Sequence, residues 1–226
     1  MEMMMGKLIV FEGLDGSGKA TQSQRLYERL QNEGACVKKI AFPDYGDPSS
    51  ALVRLYLDGA FGSAPGDVNA YAASSFYAVD RYASFRRYWQ EFYEGGGIVI
   101  ADRYVCSNAI HQMAKLPKDE WDGYLSWLCD YEYQKLGLPK PDLTVYFDMP
   151  RAYANELIAK RYAGDESKKD LHEKDLRYME SCMQSARYAA DALGFVTVPC
   201  VADGALRPIE EIHAIVYDLC REELHR

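Results

Sequence analysis

The sequence lacks the features that would assign it to a membrane or to a nucleic acid. No apolar run approaches the roughly 20 residues that a membrane-spanning helix needs. Positive charge is in deficit, since 26 Lys and Arg residues face 34 Asp and Glu residues and leave a net charge of −8. This balance argues against a general nucleic-acid surface, although a local basic pocket can still hold a small anion. We therefore expect neither a membrane nor a nucleic acid as a partner.

Cysteine usage excludes two further kinds of site. The six cysteines are scattered and include no Cys-x-x-Cys pair, so neither a zinc site nor a redox motif is supported. Residues 1–7 also lack the basic region and the cleavage pattern of a secretion signal. We expect reduced, mostly buried thiols in a cytoplasmic protein. A chain of 226 residues, 48% of them apolar, suits a single domain over residues 1–226 with a sizeable core.

A glycine-rich stretch near the amino terminus has the form of a phosphate-binding loop. It follows the apolar run 8–11, which is typical of a buried parallel strand, and it precedes a stretch with helical spacing. Glycines in this position let the backbone turn tightly and bring its N–H groups close to phosphate oxygens. The predicted nucleotide-binding residues are Gly13, Leu14, Asp15, Gly16, Ser17, Gly18, Lys19, Ala20 and Thr21.

Lys19 is placed to reach the β- and γ-phosphates of a nucleotide, but the next residue departs from the motif. The motif has Ser or Thr there because its hydroxyl binds Mg²⁺. Here that position is Ala20, and Thr21 is rotated from it by about 100° along a helix. Either carboxylates and water hold the metal, or it is held less well. A glycine-rich turn that binds nothing is the weaker alternative, because both flanks agree with the motif.

Apolar runs alternate with helical patterns along the whole chain, which predicts an α/β fold with a parallel sheet of about five strands. The predicted strands are residues 8–11, 35–42, 98–101, 143–148 and 195–198. Between them we expect long helices over 67–94 and 117–136, and a closing helix over 209–224. The most polar stretch, 163–173, indicates a short lid of about 161–173, with an ordinary charged loop as an equal alternative.

Polar residues follow the third predicted strand, at the sheet edge where ligands bind. Asp102 is placed to hold Mg²⁺ directly or through water. Arg103 can bridge two phosphate groups and offset charge in a phosphoryl-transfer transition state; a surface ion pair is its weaker alternative. Asn108 carries both a donor and an acceptor, as reading a pyrimidine edge requires, but a helix N-cap fits equally well.

Two more groups of residues could complete a nucleotide site. Tyr77 and Arg81 are spaced i, i+4 and share a helix face, where a ring can stack on a base beside a guanidinium. Packing plus solvent is the more common reason for such a pair. Four basic residues flank or enter the predicted lid and could close over a transferring phosphoryl group: Lys160, Arg161, Lys168 and Lys169.

At this point the chain resembles the thymidylate kinase family. The resemblance rests on Phe-Glu-Gly-Leu-Asp-Gly-Ser-Gly-Lys at 11–19, Phe-Pro-x-Tyr at 42–45 and Asp-Arg-Tyr-Val-x-Ser-Asn at 102–108. It extends to Gly-Leu-Pro-x-Pro-Asp-Leu at 137–143 and Pro-Ile-Glu-Glu-Ile-His at 208–213. The motifs occur in order over nearly the whole chain, and their combination is specific.

The resemblance implies the P-loop nucleoside monophosphate kinase fold and transfer of the ATP γ-phosphoryl group to dTMP, giving dTDP and ADP with Mg²⁺. It implies that Lys19 binds the ATP phosphates, that Asp15 orients the acceptor or the metal, and that residues 202–206 lie near the adenine. It also implies a homodimer. The resemblance further implies an acceptor site in which Tyr45 and Arg103 hold the phosphate, Tyr77 stacks on the base and His111 lies near the sugar. The residues of this site are Asp15, Phe42, Tyr45, Tyr77, Arg81, Arg103, Asn108 and His111.

The chain also departs from the family pattern. Family members carry a catalytic arginine in the phosphate loop or in the lid, and this loop has no basic residue before Lys19. The resemblance is therefore to the lid-arginine type, yet residues 170–173 read Asp-Leu-His-Glu where the family often has Asp-Arg-x-Glu. We favour Arg161 as the catalytic lid residue. His111 leaves open a kinase that prefers another monophosphate such as dUMP, and Ala20 with Leu171 leaves open a non-catalytic nucleotide-binding paralogue.

Overall fold

A five-stranded parallel sheet forms the centre of the protein, as the alternation of strands and helices predicted. The computed structural model describes residues 5–161, 172 and 175–225. The strands are β1 (Lys7–Glu12), β2 (Val37–Ala41), β3 (Ile98–Asp102), β4 (Leu143–Asp148) and β5 (Val196–Pro199). Their order in the sheet is β2-β3-β1-β4-β5, and every pairing is parallel.

The central strand β1 explains why the core has two halves. Its four apolar residues are fully buried and alternate between the two faces of the sheet. Leu8 and Val10 belong to one hydrophobic cluster, whereas Ile9 and Phe11 belong to another on the opposite face. A strand that is covered on both faces must be apolar throughout, which is the pattern the sequence shows.

Nine helices and a small hairpin surround this sheet within the described residues. The α-helices are α1 (Lys19–Asn32), α2 (Ala51–Leu57), α3 (Ala70–Ser84), α4 (Gln90–Glu94), α5 (Cys106–His111), α6 (Trp121–Cys129), α7 (Arg151–Arg161), α8 (Leu176–Leu193) and α9 (Ile209–Leu224). Helices α1 and α9 cover the face that buries Phe11, and the middle helices of the chain cover the face that buries Val10. The hairpin consists of β6 (Val201–Ala202) and β7 (Ala205–Leu206).

The two predicted long helices are confirmed only in part: the first ends at Glu94 as expected, but it begins later than expected, and both are divided by changes of helix type. The helix expected over 67–94 begins only at Ala70, because Asn69 caps it by accepting a hydrogen bond from the Ala72 N–H at 2.8 Å. A π-helical segment, Phe85–Trp89, then separates α3 from α4. The helix expected over 117–136 is likewise divided into a 3₁₀ turn, α6 and a π-helical segment over Asp130–Lys135.

Short 3₁₀ turns connect several of the helices, and the sequence did not predict them. Their bounds are Pro48–Ser50, Pro65–Asp67, Met113–Lys115 and Lys118–Glu120. The first of these turns begins after Asp47, whose side chain accepts a hydrogen bond from the Ser49 N–H at 2.9 Å. In the second, Asp67 accepts from the N–H groups of Ser63 and Ala64. These local side-chain bonds compete with helix formation and explain why α3 does not start earlier.

The predicted lid falls almost entirely outside the described residues. Of the segment 161–173, only Arg161, which ends α7, and His172 belong to the described part. The lid, and the catalytic role expected there for Arg161, therefore stay predictions. Among the helices that are described, none is both long and apolar enough to cross a membrane.

Candidate active site

The glycine-rich loop joins the carboxyl end of β1 to the start of α1, as the sequence predicted. Gly16 and Gly18 have φ angles of 78° and 84°, which favour glycine. A Cβ atom at Gly16 would lie 2.6 Å from the carbonyl oxygen of Ala154, so glycine is required there for space as well. Helix α1 then begins at Lys19, and its first-turn N–H groups have no acceptors within the helix. A loop of this kind, ending in a helix N-terminus, is a binding site for phosphate.

The side chain of Lys19 lies inside this loop. Its Nζ donates to the carbonyl oxygen of Leu14 at 3.3 Å and lies 3.6 Å from Asp15 Oδ1. Burial, together with the nearby charge of Arg103, lowers the pKa of Lys19 to about 8, although Asp15 opposes this shift. The ammonium group is therefore still mostly protonated at pH 7.

Arg103 reaches the same loop from the end of β3. Its Nη2 donates to Asp15 Oδ1 at 2.7 Å, and its Nη1 donates to the carbonyl oxygen of Gly13 at 3.1 Å. Burial raises the pKa of Asp15, but Arg103 and Lys19 outweigh that effect and hold the pKa well below its usual range. Asp15 is therefore a carboxylate shared by two cations. The surface ion pair considered for Arg103 is wrong, because its side chain is only 14% exposed.

A buried glutamate holds the backbone that carries Arg103. Arg103 has a φ of 68°, which is uncommon for a residue with a side chain. Glu12, at the end of β1, accepts hydrogen bonds from the Tyr104 N–H at 2.9 Å and from Ser107 Oγ at 2.6 Å. Glu12 is fully buried, and this burial raises its pKa, although Arg103 and these two donors oppose the shift. These bonds fix the turn after β3 against the phosphate-binding loop.

All eight residues predicted for the acceptor site line one pocket beside this loop. They come from the loop itself, from the turn after β2, from α3 and from the turn after β3 with α5. They are Asp15, Phe42, Tyr45, Tyr77, Arg81, Arg103, Asn108 and His111. The pocket also includes residues that sequence reasoning missed, namely Pro43, Leu57, Ser107, Gln112 and His172. The structure thus brings the predicted residues together, while their individual roles stay predictions.

One end of the pocket is built on a buried ion pair. Arg81 donates to Glu132 through Nε at 2.7 Å and Nη2 at 2.6 Å, and neither side chain is more than 1% exposed. Asn108 Nδ2 donates to Glu132 Oε1 at 3.1 Å and to the carbonyl oxygen of Ser74 at 3.2 Å. Arg81 therefore does not face solvent, and the N-cap alternative for Asn108 is wrong, because Asn108 lies inside α5. Sequence reasoning missed Glu132, which lies in an expected amphipathic helix and carries no motif.

Asp102 has the chemistry of a magnesium ligand. Its Oδ1 is buried without a hydrogen-bond partner among the described residues, and the same holds for Ser17 Oγ in the loop. A carboxylate oxygen at a strand end, beside a phosphate site, is the kind of ligand that Mg²⁺ prefers. Ala20 and Thr21 are both exposed on α1. Among the described residues, no group of three or more His, Cys, Asp or Glu side chains is placed to hold a metal ion.

The loop, the carboxylate at the strand end and the arginine-containing pocket define a P-loop phosphotransferase of the nucleoside monophosphate kinase fold. The model of the thymidylate kinase family matches residues 11–213. The chain belongs to the thymidylate kinase family.

Relatives from distant organisms agree with this assignment. A thymidylate kinase from Mycobacterium tuberculosis (strain H37Rv) is 34% identical over 170 residues, which cover 74% of this chain and 78% of the relative. A thymidylate kinase from Danio rerio is 27% identical over 223 residues, 97% of this chain and 92% of its own length. The solved thymidylate kinase of Candida albicans has a TM-score of 0.71 at 22% identity, covers 98% of this chain and 94% of its own, and supports the fold.

Family membership confirms the activity that the motifs predicted. The chain is an ATP-dependent phosphotransferase that acts on dTMP, and its substrates are small nucleotides. A kinase for another monophosphate and a non-catalytic paralogue are both less favoured. The agreement extends over the residues that form the loop and the pocket, because both lie within 11–213.

Proposed function

We propose that this chain transfers the γ-phosphoryl group of ATP to the phosphate of dTMP at the junction of the glycine-rich loop and the acceptor pocket. The observation that carries the proposal is the pair of cations on Asp15, with Lys19 Nζ at 3.6 Å and Arg103 Nη2 at 2.7 Å. One cation belongs to the loop and the other to the pocket. A dTMP phosphate is already an anion at neutral pH, so positioning and charge stabilisation can supply most of the catalysis.

The polar end of the pocket has the hydrogen-bonding capacity to read thymine. Asn108 commits its amide N–H groups to Glu132 and Ser74, so its carbonyl oxygen is the part that can accept from the N3–H of the base. Arg81 uses three of its five N–H groups within the protein and can donate to a base carbonyl. Tyr77 would stack on the ring.

The remaining acceptor residues follow from their places around the pocket. Tyr45 and Arg103 would hold the acceptor phosphate, and Phe42 would contact the nucleotide from the turn after β2. Asp15 would orient the acceptor once its two cations engage phosphates. Arg161, which ends α7, would act on the transferring group from the lid, and the whole chain would work as a single domain.

Mg²⁺ would be held by Asp102 together with ATP oxygens and water. Asp102 Oδ1, which has no hydrogen-bond partner among the described residues, would supply the protein oxygen, and the lack of a hydroxyl at Ala20 would leave one more position for water. When bound, the ion would neutralise charge on the β- and γ-phosphates. Removing divalent metal with a chelator should therefore abolish turnover.

We also propose that the chain forms a homodimer in the cytoplasm. Exposed apolar side chains lie on α2, on one face of α3 and on the π-helical segment after it, namely Leu52, Leu55, Val79, Tyr82 and Tyr88. Exposed apolar side chains on two helices that pack against each other are typical of protein interfaces. All six cysteines lie in the described part of the chain and are free thiols, as suits a reducing compartment.

The direct test is ADP release from ATP with Mg²⁺ and dTMP, dUMP, dCMP, dGMP or UMP as the acceptor. We expect a strong preference for dTMP. Lys19→Met should lower kcat about a hundredfold or more, because one preorganised cation at the transferring group is lost. Lys118→Met, at an exposed position, is the matched control and should leave kcat unchanged. Near-normal kcat/KM in Lys19→Met would remove Lys19 from the mechanism, and preference for another acceptor would overturn the base assignment.

A further inference from the structure

The contact between Arg103 and His111 fixes the protonation of the imidazole. Arg103 Nη1 lies 3.2 Å from His111 Nε2. A guanidinium group has only donors, so Nε2 must carry a lone pair and accept the bond. His111 is therefore neutral and serves Arg103 as an acceptor, with its proton on Nδ1, which has no hydrogen-bond partner among the described residues.

The surroundings of His111 keep it neutral and in place. Its side chain is 8% exposed, and burial, with the charge of Arg103 beside it, lowers its pKa well below the usual value. Tyr178 Oη donates to the His111 carbonyl oxygen at 2.6 Å and fixes the end of α5. The ring of His172 is stacked at 6.0 Å between centroids, with an interplanar angle of 14°. The Nε2 lone pair is thus held towards Arg103.

Arg103 has few other acceptors on the side of Nη1. Asp15 Oδ1 accepts a hydrogen bond from Nη2, and the carbonyl oxygen of Gly13 accepts one from Nη1 at 3.1 Å, which uses one of the two Nη1 hydrogens. Ser107 Oγ can also accept, since its own proton goes to Glu12, but it lies further from Nη1, at 3.4 Å. His111 is therefore the side-chain acceptor that best matches the second hydrogen of Nη1.

We propose that His111 is a positioning residue for Arg103, whose guanidinium it orients for the acceptor phosphate through the Nε2 lone pair. The inference rests on the proposed function, which assigns the acceptor phosphate to Arg103. This role of His111 is additional to the position near the sugar that the family resemblance implies. A phenyl ring at this position could pack in the same space, but it has no lone pair in its plane with which to hold Nη1.

Three substitutions of His111 distinguish the effect of the Nε2 lone pair from the effect of the ring itself. The amide of Gln reaches about as far as Nε2, whereas the amide of Asn reaches only as far as Nδ1. We expect His111→Phe and His111→Asn to raise KM for dTMP at least about tenfold, since a hydrogen bond to a charged group is lost. KM for ATP should not change. His111→Gln should stay within about threefold of the wild type. Equal losses in the Gln and Phe variants, or equal activity in Asn and Gln, would overturn the proposal.

A double-mutant cycle shows whether the effect passes through Arg103. Arg103→Lys removes the Nη1 donor, so adding His111→Phe to it should raise KM for dTMP little further. Full additivity of the two effects would contradict the proposal. If Arg103→Lys alone leaves KM for dTMP unchanged, the assignment of the acceptor phosphate to Arg103 fails instead.

The proton on the ring can be observed without any variant. In ¹⁵N-labelled protein, the ring nitrogens of His111 should report a neutral imidazole that is protonated at Nδ1. An Nε2–H tautomer, or a charged ring at pH 7.5, would contradict the contact itself. This measurement keeps the proposal testable if a substitution at this buried site does not fold.

Discussion

Glu132 is the residue on which the polar end of the acceptor pocket depends. It is fully buried, it accepts two hydrogen bonds from Arg81, and it accepts one from Asn108. The Glu132 carboxylate therefore has two roles: it neutralises the charge of Arg81, and it orients Arg81 and Asn108, the two side chains proposed to read the base. A buried pair of this kind need not stabilise the fold in net terms, but breaking it leaves an uncompensated charge.

Replacing Glu132 should accordingly affect both stability and substrate binding. We expect Glu132→Gln to lower the free energy of unfolding by about 3 kcal/mol. For a chain of this size that corresponds to a Tm lowered by roughly 6–12 °C. KM for dTMP should rise while KM for ATP stays the same. Thermal unfolding and steady-state kinetics check the two effects, with exposed Glu120→Gln as the matched control. An unchanged Tm would show that Arg81 finds another partner.

Single residues were predictable from the sequence where a motif fixed their position. Lys19, Asp15 and Arg103 follow from the loop and from a strand end, and the structure brings Lys19 and Arg103 to within 3.6 Å and 2.7 Å of the Asp15 carboxylate. Glu132 and His172 were missed because their importance comes from contacts with residues far away in the chain. Long-range pairing of this kind leaves no local pattern.

The loop between β1 and α1 is the element in which backbone geometry and function are most closely joined. Gly16 and Gly18 both have positive φ, but only a Cβ at Gly16 would meet neighbouring backbone. A comparison of the two positions therefore separates the free-energy cost of the φ angle from the free-energy cost of the steric clash. They also show that the carbonyl oxygen of Ala154 in α7 helps to shape the loop.

Alanine substitution at the two glycines should give different losses of stability. We expect Gly18→Ala to lower the free energy of unfolding by about 1 kcal/mol, the usual penalty for a left-handed residue with a side chain. Gly16→Ala should cost more, because Ala154 must also move. Thermal unfolding without nucleotide measures both. Equal losses would mean that the contact with α7 relaxes without cost.

At the scale of elements, the sequence predicted the strands better than the helix interiors. A parallel strand buried on both faces is a continuous apolar run, and β1, β3 and β4 have that form. In the π-helical segments Phe85–Trp89 and Asp130–Lys135 the backbone hydrogen bonds change, but the apolar residues keep nearly helical spacing. The sequence pattern therefore does not reveal these segments. The hairpin of β6 and β7 has two-residue strands, which are too short to show alternation.

At the scale of the whole molecule, the exposed apolar side chains of α2 and α3 predict the position of the interface between two copies of the chain. Leu55 on α2 and Tyr82 on α3 are 45% and 41% exposed. Leu55→Glu combined with Tyr82→Glu should convert the proposed dimer to a monomer, because two charges would be buried at the contact. Light scattering after size exclusion measures the mass. Met5→Glu, exposed outside these helices, should leave the mass unchanged, and a dimer that survives the double variant would place the contact elsewhere.

The strand order has a consequence for the order in which the protein can fold. β1 lies at the centre of the sheet, and its two neighbours, β3 and β4, begin at Ile98 and Leu143. The strand that carries the phosphate-binding loop is therefore synthesised before the other four strands of the sheet, yet both of its edges can be paired only after β4 has been synthesised. Such long sequence separations slow folding and leave apolar edges open to wrong partners. We expect ATP to stabilise the fold only late in synthesis, because the loop packs against Ala154 of α7, which follows β4 in the chain.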